Sequence, residues 1–365
     1  MKFNRNNSIS DEPVIGITMG DPAGIGPEII IKALNDAFVR RLGRFIIFGM
    51  NEQLCYAADK AEIEPFWHRC QHEKISRNSP YKVIIADYDD YYVPSWVRSP
   101  NKPSGEASIR FCLDAIEAAK AGIIDAVVTA PINKTSWKLA DAEWPGHTEM
   151  FAARCKSPRK AMMFTAGQLK VALATIHEGL FDIRHKFTIG RVFEPIDLLN
   201  TALKEYFGLE NPKIAVAALN PHAGEDGQFG DEEQRIITPA IILAQQQGIN
   251  CSGPYPADTL FLKAVQGRFD AVVAMYHDQA MIPVKLLDFE NAVNITIGLP
   301  IIRTSPAHGT AFDIAGKNAA NATSMQSAIK TAVKMATLRK KQPIISAAAR
   351  KKTVGSKKTK VQELG

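Results

Sequence analysis

Three histidines carry the strongest chemical signal in the sequence. KVALATI runs into His177, KIAVAALNP into His222 and DAVVAMY into His277. Each run is short, apolar and rich in small or β-branched residues, the composition of a strand buried on both faces. Open parallel sheets bind ligands in the crevice outside the carboxyl ends of their strands. Three imidazoles delivered to one such edge can hold a divalent metal and leave positions open, which is the catalytic arrangement of ligands rather than the structural one. Any one of them also reads as a satisfied loop or core histidine, and the repeated context is what favours a shared role. Spacings of 45 and 55 residues do not establish proximity. Asp278, directly after His277, reads as a partner that orients the imidazole, as a general base or as a turn residue.

Four further segments offer polar groups. PGHTE places His147 and Thr148 on a constrained loop, with a helix N-cap as the alternative for Thr148. LNPHAGEDGQFGDEE gathers glycines that let backbone N–H groups approach a ligand, but no GKS or GKT follows, so it is not a Walker loop. Lys285, Asn294 and Arg303 supply two cations and an amide within 19 residues, enough to clamp a phosphate or carboxylate, although each alone also reads as ordinary surface polarity. In RTSPAHGTAFDIAG, His308 and Gly309 open a small-residue segment suited either to backbone contact with a nucleotide or to a strand-to-helix turn. GDPAGIGPE is not the dinucleotide fingerprint GxGxxG. Its glycines fit an anion at a helix N-terminus or close strand–helix packing equally well.

The elements that must position these groups alternate. A strand over 14–19 is followed by a Gly-rich turn and a helix over 29–37. A helix over 108–120 stops at Gly122 and leads into a strand over 123–129, and Asp231 starts a helix ending near Gly248. This pattern predicts an α/β protein with largely parallel sheets. The 365 residues are 46% apolar and 22% charged, which excludes a disordered, collagen-like or disulfide-stapled chain, and the length suggests about two domains. Net charge is +6, but nine basic residues and one acid lie between Arg339 and Gly365. That stretch carries +8 and leaves the remainder at −2, so a basic surface for nucleic acid is not expected of the body. Five scattered cysteines without CxxC spacing point to a reducing compartment, and neither a secretory signal nor a membrane-spanning run is present. The expectation is a cytoplasmic protein.

ITMGDPAGIGPE, PGHTE, LNPHAGE, YHDQ, VNITIGLPIIRTS and HGTAFDIAG occur together and in order. They resemble the 4-hydroxythreonine-4-phosphate dehydrogenase family of vitamin B6 synthesis over residues 14–338. They are also similar to the wider metal-dependent β-decarboxylating dehydrogenases, such as those of isocitrate and isopropylmalate. The resemblance implies two α/β domains around a cleft, one from 13–125 with 300–338 and the other from 126–299, flanked by a flexible arm at 1–12 and a basic tail at 339–365. It implies His177, His222 and His277 as ligands of Zn, Co, Mg or Mn, one of them supplied across a homodimer interface. His147, Thr148, Lys285, Asn294 and Arg303 become contacts to a small phosphorylated substrate. NAD, or NADP, is expected along His308, Gly309, Thr310, Asp313 and Gly316. Asp258, Asp278 and Lys285 become the catalytic candidates. The implied reaction oxidises 4-phosphooxy-L-threonine at its secondary hydroxyl and then decarboxylates it to 3-amino-2-oxopropyl phosphate. The rivals are a phosphoerythronate or phosphothreonate dehydrogenase and, outside the class, a metal-dependent hydrolase without NAD. Two departures from the family pattern, EGLFDI after His177 and Ala280 after YHDQ, lie beside the proposed ligands and bear on substrate choice.

Overall fold

A computed structural model describes residues 12–341. Twelve strands make one sheet: β1 Val14–Thr18, β2 Arg44–Gly49, β3 His68–Gln71, β4 Val83–Asp87, β5 Ala126–Thr129, β6 Ala161–Ala166, β7 Leu169–Leu173, β8 Ile214–Ala217, β9 Cys251–Tyr255, β10 Ala271–Ala274, β11 Val293–Ile297 and β12 Ile302–Pro306. Their order is β3-β4-β2-β1-β5-β12-β11-β6-β7-β10-β8-β9. The strands within β3 to β12 of this order are parallel, as are those within β7 to β9, and helices connect most of them. The fold is therefore α/β with a largely parallel sheet. The expected pair of sheets is one continuous sheet, because β11 pairs antiparallel with both β12 and β6, and β6 pairs antiparallel with β7. That reversal has a consequence for ligand binding. The carboxyl ends of β7, β10 and β8 point to the edge opposite those of β5 and β12.

Local chemistry explains the elements. β1, β4 and β12 are buried along their whole length, as strands covered on both faces must be. After β1 the chain turns through Gly20, whose φ of +73° and approach to the Pro131 carbonyl leave no room for a side chain. Pro27 then sits in the first turn of helix Gly26–Asn35. In the second half, successive residues of each strand face opposite ways. Met162 and Phe164 join Val171, Leu260, Val272 and Val284 in one apolar cluster, while Met163 and Val273 join the main core. Asp231 does not cap a helix by its side chain. It pairs with Arg235 one turn on, and a π-helical turn, Glu233–Ile237, precedes helix Thr238–Gln246.

The last helix, Thr323–Lys341, takes in the first three residues counted with the basic tail. Lys340 lies 3.0 Å from Asp125, and Arg339 donates to the Pro300 carbonyl at 2.8 Å. The rest of the tail, and the N-terminal arm before Glu12, lie outside the described residues. No helix among the described residues is long and apolar enough to cross a membrane.

Candidate active site

A cavity of about 720 Å³ crosses the face of the sheet, from the ends of β5 and β12 toward the ends of β7 and β10. At the second end stand two of the three predicted histidines. His177 follows β7 and His277 opens helix His277–Asp288 after β10, and because β7 and β10 are parallel neighbours their rings come to 6.0 Å between centroids. His277 Nδ1 lies 2.6 Å from Asp278 Oδ1, so the neighbouring carboxylate accepts from Nδ1–H, holds the ring and leaves the Nε2 lone pair facing outward. Burial, then the charges of Lys134 and His277, hold the His177 imidazole below its usual pKa of 6.5, against an opposing pull from Glu149. His177 is therefore neutral, as a metal ligand must be. Residues 277, 281 and 285 recur at helical spacing, so His277, Met281 and Lys285 all reach the cavity from one face.

His222 stands apart. It follows β8, on the same edge, but its ring lies against Phe229 at 6.2 Å and it does not line the cavity. Its loop is unusual: His222, Ala223, Glu225 and Asp226 all have left-handed backbone angles. Buried Glu233 ties the loop base, accepting from the Leu219 and Asn220 backbone N–H groups at 2.8 and 2.7 Å. Among the described residues no three His, Cys, Asp or Glu side chains gather at one point suited to a metal.

The other end is built around Arg303. Its side chain is buried, with Nη2 and Nε donating to Thr129 Oγ1 at 2.7 and 3.2 Å and Nη1 to Thr296 Oγ1 at 3.0 Å. Among the described residues no carboxylate pairs with it. Burial lowers its pKa to about 10, so it stays charged at neutral pH. An enclosed guanidinium with only hydroxyl partners carries a desolvation cost of several kcal/mol that an anionic ligand would offset. His147 lies beside it, its pKa driven well below the usual value by burial and by Arg303, and its buried Nε2 has no partner. Thr148 is the second residue of helix His147–Arg154, not its cap, and lines the cavity. Asn294, on β11, brings a buried Oδ1 without a partner. The structure thus gathers His147, Thr148, Lys285, Asn294 and Arg303 in one cavity.

His308 and Gly309 reach the rim of the same cavity; His308 Nε2 is buried without a partner, and an added Cβ at Gly309 would meet nothing within 4 Å. The rest of that segment packs against the first turn of the fold. Ile25 N donates to the Thr310 carbonyl at 3.0 Å, and Arg98 Nε to that of Ala315 at 3.1 Å. Thr310, Asp313 and Gly316 do not line the cavity, and neither does Asp258, which is exposed on helix Ala257–Val265. Sequence reasoning missed Lys134, Lys160, Arg191, Glu149 and Glu178 as cavity residues. Lys134 closely follows the end of β5, so the strand-end rule could have found it.

A family model described as "Pyridoxal phosphate biosynthetic protein PdxA" matches residues 42–332. The chain belongs to the PdxA family. A 4-hydroxythreonine-4-phosphate dehydrogenase of Desulforapulum autotrophicum is 43% identical over 329 residues, covering 90% of this chain and 97% of that protein. A D-threonate 4-phosphate dehydrogenase of Salmonella typhimurium is 41% identical over 337 residues, 88% of this chain and 98% of the other. Among solved structures, the 4-hydroxythreonine-4-phosphate dehydrogenase of Klebsiella pneumoniae superposes with a TM-score of 0.80 at 37% identity, covering 89% of this chain and 99% of that one. Membership in the PdxA family makes the chain an oxidoreductase and sets aside the hydrolase reading. The relatives' two substrate names leave open which phosphorylated hydroxy acid is used.

Proposed function

We propose that the protein oxidises 4-phosphooxy-L-threonine at its secondary hydroxyl with NAD and a divalent metal, then releases CO₂ to give 3-amino-2-oxopropyl phosphate. The observation that carries this reading is Arg303, a buried cation without a carboxylate partner, in one cavity with a pair of imidazoles. Arg303, Asn294, His147 and Thr148 bind and orient the anionic end of the substrate, and Lys285 reaches it from the helix that begins at His277. His177 and His277 fit two metal positions: one imidazole is held neutral and the other is oriented by Asp278. The open face at Gly309 and the unpartnered His308 Nε2 fit the approach of a dinucleotide along 308–316. When bound, a divalent cation lowers the pKa of the substrate hydroxyl and polarises the carbonyl that follows, and the nicotinamide accepts hydride. The hydroxyl proton passes to a base, for which Lys285, which lines the cavity, and Asp278, beside His277, are the candidates. In the β-keto acid so formed, the bond between the carboxylate and the amino-bearing carbon breaks, and that carbon is reprotonated.

A third metal ligand comes from His222 in this reading, supplied by a second copy. Exposed apolar side chains around the histidine end support such a pairing: Phe181, Leu286, Phe289, Leu262 and Ile282. The five cysteines are all free thiols, which supports a cytoplasmic enzyme. The test is NADH absorbance on mixing the protein with 4-phosphooxy-L-threonine, NAD and Zn²⁺, Co²⁺ or Mg²⁺, with and without chelator. Chelator-sensitive NADH production is expected. Turnover confined to 4-phosphothreonate or 4-phosphoerythronate would replace this reading with the one that the Salmonella relative's name favours.

A further inference from the structure

The substrate of the proposed reaction carries two anionic groups, a phosphate and a carboxylate, at opposite ends of a short carbon chain. With Arg303 and its neighbours on the phosphate, the carboxylate needs a cation of its own. Lys134 stands in position to supply it. It lines the cavity and opens helix Lys134–Leu139, soon after β5 ends. The start of that helix is fixed from two sides. Asn133 accepts from the Ser136 backbone N–H at 2.9 Å, and Ser136 Oγ donates to Asp21 Oδ2 at 2.8 Å. Asp21 is fully buried in the glycine-rich turn after β1. The GDPAGIGPE motif, which brings no residue to the cavity wall, thus anchors a helix that does. The Lys134 stem lies beside the loop that carries His147: a Cβ built on Gly146 would come 3.7 Å from Lys134 Cε. Its charge is felt at His177, so it sits between the two ends of the cavity. Glu149 Oε2 is 3.5 Å from the same built Cβ, yet among the described residues no carboxylate pairs with the Lys134 ammonium.

The other cations of the cavity are less suited. Arg191 has Glu178 Oε1 at 4.0 Å, and Lys285 Nζ lies 5.7 Å from the centre of the Phe289 ring. Lys160 also lines the cavity and serves as the control below. We infer that Lys134 binds the carboxylate that the reaction expels, and so selects phosphorylated hydroxy acids over phosphorylated alcohols. An ammonium on a flexible stem holds the carboxylate through the oxidation and then lets it go. As the bond between the carboxylate and its neighbouring carbon breaks, the electron pair moves toward the ketone oxygen. CO₂ leaves uncharged, and its attraction to Lys134 ends. The inference rests on the function proposed above and adds the group that recognises the carboxylate of its substrate.

The test sets each acid against the alcohol left when hydrogen replaces its carboxylate. 1-Amino-3-phosphonooxypropan-2-ol stands against 4-phosphooxythreonine, and glycerol 3-phosphate against 4-phosphothreonate. NADH production is measured for the natural protein, Lys134→Gln, Lys134→Arg and Lys160→Gln. The same proteins are titrated calorimetrically, without NAD, with 4-phosphonooxybutanoate and propyl phosphate, which lack the secondary hydroxyl and cannot be oxidised. Losing one charge-assisted contact lowers kcat/KM on the acids, and affinity for 4-phosphonooxybutanoate, by about 10- to 50-fold in Lys134→Gln. The alcohols and propyl phosphate change by no more than about threefold, within the worth of a lost neutral contact. Lys134→Arg keeps part of the acid preference, and Lys160→Gln leaves that preference as it is. Equal losses on acids and alcohols overturn the inference, because Lys134 then serves the whole cavity. So does loss of the preference in Lys160→Gln, or a natural protein that treats acid and alcohol alike. If 4-phosphooxythreonine is not oxidised, the function proposed above fails instead, and the second pair and the calorimetry decide the inference.

Discussion

The two ends of the cavity are built to different standards. At one, Arg303 is enclosed, its donors are aimed by Thr129 and Thr296, and Phe151 lies 5.8 Å from its guanidinium carbon. At the other, two imidazoles stand past strand ends, only one has a partner that fixes its tautomer, and the third predicted ligand lies beside Phe229 outside the cavity. The sheet explains the contrast. Arg303 lies within β12 between β5 and β11, where Thr129 and Thr296 on the flanking strands and Phe151 of helix His147–Arg154 supply fixed neighbours. The histidines lie beyond the ends of β7, β8 and β10, in the segments that follow them, His277 at the start of a helix. A single chain thus preorganises the anion end, whereas under the function proposed above an ion and a second copy would complete the histidine end. Rigid placement suits the group that orients substrate, while looser ligands can close on a metal as it binds.

The largest expected effect breaks the contrast at its stronger end. Arg303→Met removes the buried cation and keeps an apolar side chain of similar length, so folding is retained or improved. The lost charge-assisted contacts lower kcat/KM by about a hundred- to ten-thousand-fold. A shared site makes a second demand on the same variant. Mixed and reassembled with His222→Ala, also inactive, it forms hybrid dimers in which one site carries both changes and the other carries neither. Activity then returns to about a quarter of the natural level. If no activity returns, His222 acts within its own subunit or not at all.

A smaller effect sharpens the weaker end. Asp278→Asn removes the carboxylate that orients His277. Metal affinity then falls by about 10- to 100-fold, while binding of a phosphorylated ligand without metal is unchanged. An equal loss of both would mean that Asp278 shapes the whole cavity rather than one imidazole.

Much of this arrangement was legible in the sequence. The apolar runs before His177, His222 and His277 are strands that end just short of them, because composition alone marks a strand buried on both faces. The reversal at β11 and β6 was not legible, since periodicity tells that a residue is in a strand and not which strand lies beside it. For that reason a shared edge for the histidines could be read, but not the sheet face between them and Arg303. Lys160 and Arg191 were invisible for a related cause: a cavity cation and a surface cation look alike in sequence. Glu178 was in view only as a departure from the family pattern after His177.

The smallest effect compares the two ends by pH. His147, at the Arg303 end, and His177, at the other, both have imidazoles held below the ordinary value of 6.5, chiefly by burial. In each case the unfolded chain binds the proton more readily than the folded one. The stability contributed is therefore complete above about pH 6.5 and is lost as pH falls through the lower folded value. For any one group the slope cannot exceed about 1.4 kcal/mol per pH unit. The shift is the larger at His147, which is enclosed and faces Arg303, whereas at His177 the nearby Glu149 offsets part of the effect. Urea unfolding between pH 7.5 and 5 with chelator present should therefore show the acid slope flattened more by His147→Gln than by His177→Gln. Equal flattening would mean that the histidine end is as closed in solution as the anion end, and the contrast between them would not hold.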